Sequence, residues 1–140
     1  MTSTMAIYRK EFKNAKSGYV KNEATLLRKA ARFGLSPKFL KTDNKTFIEM
    51  DDLKEMTVED LYGEDIPPHI LAGMFSLVWT LYHVCKIQYI DLWPRNFIER
   101  DGRVWVIDFG DAKKANDIPD EYLMEILKAG KITHWNPHFN

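Results

Sequence analysis

The sequence has 140 residues, of which 45% are apolar and 13% aromatic, which suits one compact domain with a hydrophobic core. Its 20 basic and 20 acidic side chains balance, which argues against a dedicated nucleic-acid-binding protein. The single cysteine, Cys85, excludes a disulfide framework and a thiolate metal site within one chain. With no apolar signal segment and no run near ~18 apolar residues, we expect a reducing, cytosolic setting without a membrane span.

The charges are distributed unevenly along the chain. Residues 1–41 hold ten Lys and Arg against two Glu, whereas residues 42–66 hold nine Asp and Glu against two Lys. The basic first third either attracts phosphate groups or forms a solvated helix face, and the sequence leaves both interpretations open.

The first half of the chain alternates strand and helix signals. We predict strands at 5–12, 37–42 and 46–50, and helices at 19–33 and 52–61. The first helix has apolar residues at three- and four-residue spacing and is followed by Gly34 and Pro37, which favour a helix end.

The second half contains the strongest helix signal of the chain. We predict a helix at 67–86, a hairpin of strands 96–99 and 103–107, a helix at 119–129 and a packed loop at 135–137. The long helix starts at Pro67 and Pro68 and carries a wide apolar face, which marks it as the core helix. The order predicts one α+β domain over residues 1–140, with antiparallel strands and no βαβ repeat.

Two acids and an amide lie at the ends of the predicted hairpin. Asp91 and Asn96 precede its first strand, and Asp108 follows its second. Phosphoryl transfer needs one acid to orient the attacking hydroxyl, and an amide oxygen and a second acid to hold Mg²⁺. The pattern therefore indicates a magnesium-dependent phosphotransferase, and the alternative is that the acids are ordinary turn or cap residues.

The same residues carry a resemblance to the protein-kinase superfamily. Residues 91–96 (DLWPRN) resemble its catalytic loop, with Asn five positions after Asp, and residues 108–110 (DFG) resemble its magnesium motif. Residues 23–27 (EATLL) resemble the αC helix of small atypical kinases, namely the RIO kinases and the kinase subunit of the tRNA threonylcarbamoylation complex. The resemblance covers residues 6–112 and implies a truncated two-lobed kinase-like fold, with residues 1–50 in a small N-lobe and 51–140 in a reduced, helical C-lobe.

The resemblance assigns roles around the hairpin. Asp91 is the expected catalytic acid, and Asn96 and Asp108 are the expected magnesium ligands for bound ATP. Trp93 stands where kinases commonly carry a lysine that contacts the transferred phosphate. Arg95 either supplies this missing positive charge or pairs with a surface acid.

The resemblance also implies a phosphate-anchoring ion pair. Glu23 is the expected glutamate of the αC helix, and its partner is a lysine on the preceding strand. We choose Lys10, with Lys13 and Arg9 as alternatives.

An apolar strand that ends in acids resembles the hinge that holds adenine in kinases. The resemblance places the backbone of Glu49 and Asp51 against the adenine of ATP, with Ile48 lining the back of that pocket.

The pattern departs from the kinase superfamily at both ends. The nine residues before Lys10 cannot supply the two strands and the glycine-rich loop that cover the phosphates, and no glycine precedes Gly18. The thirty residues after Gly110 are too few for the usual activation segment and substrate-docking helices. We therefore expect weak or partner-dependent turnover, with a partner protein or a second copy covering the phosphates.

Three functions follow from these residues. The first is an ATP- and Mg²⁺-dependent Ser/Thr protein kinase, autokinase or ATPase of the atypical small-kinase type. The second is an interaction module on a degraded kinase fold, because the glycine-rich loop is absent. The third is a small-molecule kinase similar to the aminoglycoside phosphotransferases, because Asp111-Ala112 follows the magnesium motif.

Overall fold

The computed structural model describes residues 6–139 and mixes helices with small antiparallel sheets. The elements in chain order are β1 (Ile7–Glu11), α1 (Tyr19–Arg32), β2 (Phe39–Thr42), β3 (Phe47–Asp51), α2 (Val58–Tyr62), α3 (Pro68–His83), β4 (Ile87–Gln88), a 3₁₀ turn (Pro94–Asn96), β5 (Phe97–Arg100), β6 (Arg103–Val106), β7 (Lys113–Lys114), α4 (Glu121–Ala129) and a second 3₁₀ turn (Pro137–Phe139). The antiparallel arrangement agrees with the α+β class that the sequence predicts. Met5, the first residue of the strand predicted at 5–12, lies outside the described residues.

Three strands and one helix form the first half of the structure. The sheet order is β1-β3-β2, both pairings are antiparallel, and Lys10 of β1 lies opposite Ile48 of β3. Helix α1 packs its apolar face, which includes Leu27 and Ala30, against this sheet. The central position of β3 means that a neighbouring strand lies along each of its edges.

The second half is built around α3. Its buried residues recur at three- and four-residue steps, as the sequence predicts, and the helix packs on β6 of the β5–β6 hairpin. Gly73 allows this close approach, because a Cβ atom at that position would lie 3.0 Å from Cγ2 of Val104. The helix ends at His83 rather than at Lys86, whose φ of 60° is incompatible with a continuing helix.

A short strand pair escapes the sequence analysis. Strands β4 and β7 have two residues each and pair Ile87 with Lys114 and Gln88 with Lys113. The buried amide of Gln88 donates to the carbonyls of Lys114 and Ile118 and accepts from the N–H of Asp120. This amide therefore links α3, the segment after β7 and the start of α4.

The acidic helix predicted at 52–61 is wrong in its first half. Asp52 accepts a hydrogen bond from the N–H of Lys54, and Lys54 adopts a φ of 55°, so the chain turns instead of starting a helix. Helix α2 begins only at Val58, where the Thr57 side chain caps it by accepting from the N–H of Asp60.

The C-terminal segment is fastened to the loop that precedes the hairpin. Asn136 is 1% exposed; its side chain donates to the carbonyl of Ile90, and its own carbonyl accepts from Nε1 of Trp93 at 2.7 Å. The rings of Trp93 and Trp135 stack with centroids 6.3 Å apart. Residues 135–136 are thus packed loop, as the sequence predicts, and they buttress residues 90–93.

Replacing Asn136 with alanine removes a buried amide and leaves the carbonyl of Ile90 without its partner. We expect this change to lower the free energy of unfolding by about 2 kcal/mol, the sum of one to two buried hydrogen bonds. Urea unfolding measures the loss. Asn116→Ala, at an exposed position, is the matched control and should change stability by less than about 0.5 kcal/mol. Equal losses in the two variants would contradict the buttress.

Candidate functional site

A cleft of about 450 Å³ lies between the β1–β3 sheet and the loops that flank the hairpin. Of the residues that the sequence analysis singles out, the cleft is lined by Lys10, Asp51, Asp91, Arg95, Asn96 and Asp108. These residues are up to 98 positions apart in the sequence, so the fold has brought them to one place.

An ion-pair bridge crosses the cleft at Lys10. Its Nζ lies 2.8 Å from Oε2 of Glu23 on α1 and 3.4 Å from Oδ1 of Asp108 after β6. The Glu23 side chain is 1% exposed, whereas that of Lys10 is 27% exposed and faces the cleft. Of the three cations considered from the sequence, the structure brings Lys10 to Glu23; Arg9 instead pairs with Glu11 and Glu49.

The strand geometry explains why Lys10 reaches the cleft. Side chains alternate between the two faces of a strand, so Lys10 lies on one face of β1 while Arg9 and Glu11 lie on the other. Lys10 also lies over the ring of Phe12, with Nζ 5.2 Å from the centroid.

The buried carboxylate of Glu23 depends on this lysine. Burial raises the pKa of Glu23 and the Lys10 ammonium opposes that rise, but the net pKa stays above the ordinary value. Burial lowers the pKa of Lys10, and the carboxylates of Glu23 and Asp108 outweigh it, so the pKa is raised. Oε1 of Glu23 has no hydrogen-bond donor among the described residues, which adds to the cost of burying its charge.

Gly110 leaves room for this cluster of oxygens. A Cβ atom at position 110 would clash with the Tyr19 hydroxyl and lie 3.2 Å from Oδ1 of Asp108 and 3.3 Å from Oε1 of Glu23. The N–H of Gly110 donates to Oδ1 of Asp108 at 2.9 Å, which orients that carboxylate. A side chain at position 110 would therefore have to displace the Tyr19 hydroxyl and crowd both carboxylates.

Asn96 is locked to the backbone of Asp91. Its Nδ2 donates to the Asp91 carbonyl at 2.9 Å, so Oδ1 of the amide remains as an acceptor at the cleft. The 3₁₀ turn Pro94–Asn96 fixes this geometry, and the Asn96 carbonyl accepts from the N–H of Ile107.

Asp91 is a partly buried acid in a negative environment. Its side chain is 14% exposed, and burial raises its pKa, with further raising by Asp108 and Asp111. The Asn96 amide and the Arg95 guanidinium lower the pKa and do not cancel the rise. A carboxylate with a raised pKa is a stronger proton acceptor than an exposed aspartate.

Arg95 contacts a partner that the sequence analysis does not anticipate. Its Nη2 lies 3.4 Å from Oδ1 of Asp91 and donates to the carbonyl of Phe139 at 2.6 Å. Its guanidinium also lies 5.1 Å from the ring centroid of Trp93. The arginine therefore joins the candidate catalytic acid to the C-terminal segment, and the acid that it pairs with is Asp91 rather than a surface residue.

Tyr89 connects the loop that carries Asp91 to the loop that carries Asp108 through aromatic packing. It is fully buried, with its ring edge-on to Phe97 at 6.0 Å and to Phe109 at 5.6 Å. Burial raises the pKa of Tyr89 well above its ordinary value, so its hydroxyl stays neutral. This aromatic cluster holds the loop of Asp91 against the loop of Asp108.

The expected adenine contacts require correction. Ile48 is fully buried in the core, and Glu49 lies mid-strand with its side chain on Arg9, so neither residue lines the cleft. Because β3 is the central strand, the backbone of Glu49 lies between β1 and β2 and cannot face a ligand. Asp51 does line the cleft, but its N–H donates to the carbonyl of Lys38.

The residues that line this wall of the cleft come mostly later in the sequence than the predicted adenine contacts. Met50, Asp52 and Leu53 line it, at and beyond the end of β3. The end of the predicted strand could have indicated this wall, because backbone N–H and C=O groups are released from the β-ladder only beyond the end of a strand. Within residues 6–139, the N–H of Leu53 has no hydrogen-bond partner.

Oxygen ligands at this site come from one carboxylate and one amide. No group of three or more His, Cys, Asp or Glu in the described range is arranged to hold a metal ion. Magnesium needs few protein ligands because it retains water, so the oxygen donors of Asp108 and Asn96 are chemically compatible with it. None of the described helices is long and apolar enough to span a membrane.

Comparison with known proteins gives one partial relationship. No protein-family model matches the sequence. A stretch of 96 residues is 29% identical to a protein of Methanospirillum hungatei JF-1 named "Probable bifunctional tRNA threonylcarbamoyladenosine biosynthesis protein". The match covers 69% of this chain but only 18% of that protein. The chain is thus distantly similar to a protein whose name refers to tRNA threonylcarbamoyladenosine biosynthesis. The resemblance found in the sequence points to the same tRNA modification.

Replacing Lys10 with methionine leaves Glu23 buried without a cation. We expect a loss of about 2–4 kcal/mol in the free energy of unfolding at pH 7, because a half-broken buried pair is costly. Without Lys10 the pKa of Glu23 rises further. In the folded protein Glu23 then binds a proton more readily than in the unfolded chain. The stability of the variant is therefore lost as the pH rises above the ordinary pKa of 4.5 toward the pKa of the folded state.

Urea unfolding at pH 5 and pH 7 checks this prediction. The deficit of Lys10→Met should be smaller at pH 5, and adding Glu23→Gln should recover most of the loss at pH 7. Lys13→Met, at an exposed position nearby, is the control. A deficit of Lys10→Met that is the same at both pH values would contradict the account.

Proposed function

We propose that the cleft binds Mg-ATP and that the protein is a phosphotransferase of the atypical small-kinase type. The observation that carries the proposal is the contact of Lys10 with both Glu23 and Asp108, in the same cleft as Asp91 and Asn96. The proposed acceptor is a Ser or Thr hydroxyl on another protein or on the protein itself, and water is the acceptor if the enzyme acts as an ATPase.

The proposal interprets the two halves of the fold as two lobes. Strands β1–β3 with α1 form the small lobe, and the described residues after β3 form a reduced C-lobe around α3. The cleft lies between these halves, as a nucleotide site between lobes requires. The Lys10 bridge crosses that boundary, because Asp108 belongs to the second half.

Magnesium is the metal proposed for the Asp108 carboxylate and Oδ1 of Asn96. When bound, the ion neutralises charge on the phosphates and on the phosphoryl group during its transfer. Asp108 is held by Gly110 and Lys10, and Asn96 is held by the Asp91 carbonyl, so both ligands are oriented before a metal arrives. Lys10 is the proposed anchor of the ATP phosphates.

Asp91 is the proposed catalytic residue and acts as a general base. Its carboxylate accepts the proton of the acceptor hydroxyl as that oxygen forms a bond to the γ-phosphorus. The bond between the γ-phosphorus and the bridging oxygen breaks, and ADP leaves with the bonding electrons. The raised pKa of Asp91 suits this role, because proton transfer to it is easier than to an exposed aspartate.

The adenine of ATP is proposed to lie against residues 50–53. Met50 supplies an apolar surface, and the N–H of Leu53 lies just beyond the last strand contact. The Leu53 carbonyl accepts from Nη2 of Arg100, which fixes this segment to the hairpin.

The phosphate side of the proposed site is open. Strand β1 pairs with β3 on one edge, no strand lies on its other edge within residues 6–139, and Ile7 and Tyr8 are 58% and 49% exposed. We propose that a partner protein or a second copy covers this edge. The name of the archaeal relative suggests that such a partner belongs to a tRNA threonylcarbamoylation system.

One observation favours a different class of function. The guanidinium of Arg95 lies between Asp91 and the C-terminal segment, so part of the candidate catalytic acid is already engaged. An interaction module that binds nucleotide without turnover fits this contact. The next experiment separates the two functions.

Replacing Asp108 with asparagine removes the charge proposed to hold magnesium. We expect the wild-type melting temperature to rise with Mg-ATP and release of inorganic phosphate to be measurable. Asp108→Asn should lose at least about tenfold in rate. Asp111→Asn, an exposed acid three residues on, is the matched control and should retain most of the rate.

The outcomes discriminate between the candidate functions. A magnesium-dependent melting shift with no phosphate release favours the interaction module. No melting shift at millimolar Mg-ATP would contradict nucleotide binding altogether.

Replacing Arg95 with alanine tests its link to Asp91. Arg95 lowers the pKa of Asp91, so its removal raises that pKa. Because the ionised carboxylate accepts the proton, the acidic limb of the pH–rate profile should move to higher pH. An unchanged rate and profile would remove Arg95 from the mechanism.

A further inference from the structure

A groove of about 690 Å³ lies on the side of α1 turned away from the cleft. Thr25 and Lys29 of α1 line it, and at 100° per residue both lie at least a third of a turn from Glu23 on the helix. The other wall comes from Tyr82, His83 and Lys86 at the end of α3 and from the β7 segment. None of these residues lines the nucleotide cleft.

The positive charge of this groove is not balanced by acidic side chains in its lining. Lys29, Lys86 and Lys114 come from three separate segments and converge on it, and neither Asp nor Glu is among the residues that line it. Within residues 6–139, none of these lysines forms an ion pair. Lys29 belongs to the strongly basic first third of the sequence, so at least part of that charge surrounds a concave surface.

The backbone holds two of these cations together. Lys114 is paired with Ile87 in the β4–β7 ladder, and the N–H of Ala115 donates to the Lys86 carbonyl at 2.8 Å. The backbones of Lys86 and Lys114 are therefore held next to each other. Nζ of Lys86 donates to the His83 carbonyl at 2.9 Å, which keeps this ammonium at the end of α3. Positive charges fixed on one groove attract an anion.

We propose that this groove binds a compact ligand that carries two or more phosphate groups. Lysine ammonium groups bind phosphate as point charges, and the volume lies within the range of small-molecule sites. Tyr82 and His83, whose rings meet edge-on at 4.9 Å, provide an aromatic wall for the organic part of such a ligand. Because Lys29 and Glu23 share α1, the ligand contacts the helix that anchors Lys10.

The test uses inorganic tripolyphosphate without magnesium, measured by calorimetry at low salt. Lys114→Gln and Lys29→Gln should each weaken binding by about three- to tenfold. Lys113→Gln is the matched control, because Lys113 is the neighbour of Lys114 on β7 and does not line the groove. It should change the affinity by less than about twofold, and the variants at Lys29, Lys113 and Lys114 should keep the wild-type melting temperature, since these three positions carry no ion pair within residues 6–139.

Three results would overturn the proposal. An equal loss in Lys113→Gln would show that the attraction is diffuse surface charge. A loss confined to Lys10→Met would place the ligand in the cleft. Binding of a single-stranded RNA oligonucleotide with no response to tripolyphosphate would replace the compact ligand with a nucleic acid. The measurement contains neither ATP nor magnesium, so its outcome is independent of the proposed kinase activity.

Discussion

A carboxylate that the fold buries almost completely governs the arrangement of the candidate site. Glu23 sits on α1 with 1% of its side chain exposed, and within residues 6–139 the cation that pairs with it is the Lys10 ammonium. Lys10 in turn reaches Asp108, so a single cation joins β1, α1 and the end of the β5–β6 hairpin. Burial raises the pKa of the glutamate and the Lys10 ammonium opposes that rise, so this contact favours the ionised form. The cost of burying Glu23 therefore fixes a positive charge at the mouth of the cleft.

A second set of contacts fixes the acids on the opposite wall. Asn136 and Phe139 hold the backbone and side chains around Asp91 from the C-terminal side, while Tyr89 packs the same loop onto Phe109. The cleft is thus held firmly at its base and open along the edge of β1 that carries no strand within residues 6–139. This contrast suits a site whose charged residues are preorganised but whose phosphates need a partner to exclude water.

The sequence predicts the elements with strong periodicity and the site residues with strict spacing. Helix α3 follows from its apolar repeat. The resemblance left Lys10, Lys13 and Arg9 as candidates, and the alternation of β1 in the structure explains why Lys10 is the one that reaches Glu23. Local turns decide where prediction fails: the Asp52 side chain caps a turn at Lys54, and two-residue strands such as β4 carry no periodicity. Arg95 donates to the carbonyl of Phe139, which lies 44 residues away in the sequence. No local pattern predicts such a tertiary contact. The adenine contacts were misplaced because the central position of β3 is a property of the sheet and not of the strand.

The most direct test of the account is a crystal structure of the protein with magnesium and a non-hydrolysable ATP analogue. The account predicts phosphate oxygens within hydrogen-bonding distance of Lys10 Nζ, and a magnesium ion between Asp108 and Oδ1 of Asn96. It also predicts the adenine ring against residues 50–53. A nucleotide bound elsewhere, or phosphates and metal that avoid both Lys10 and Asp108, would contradict it.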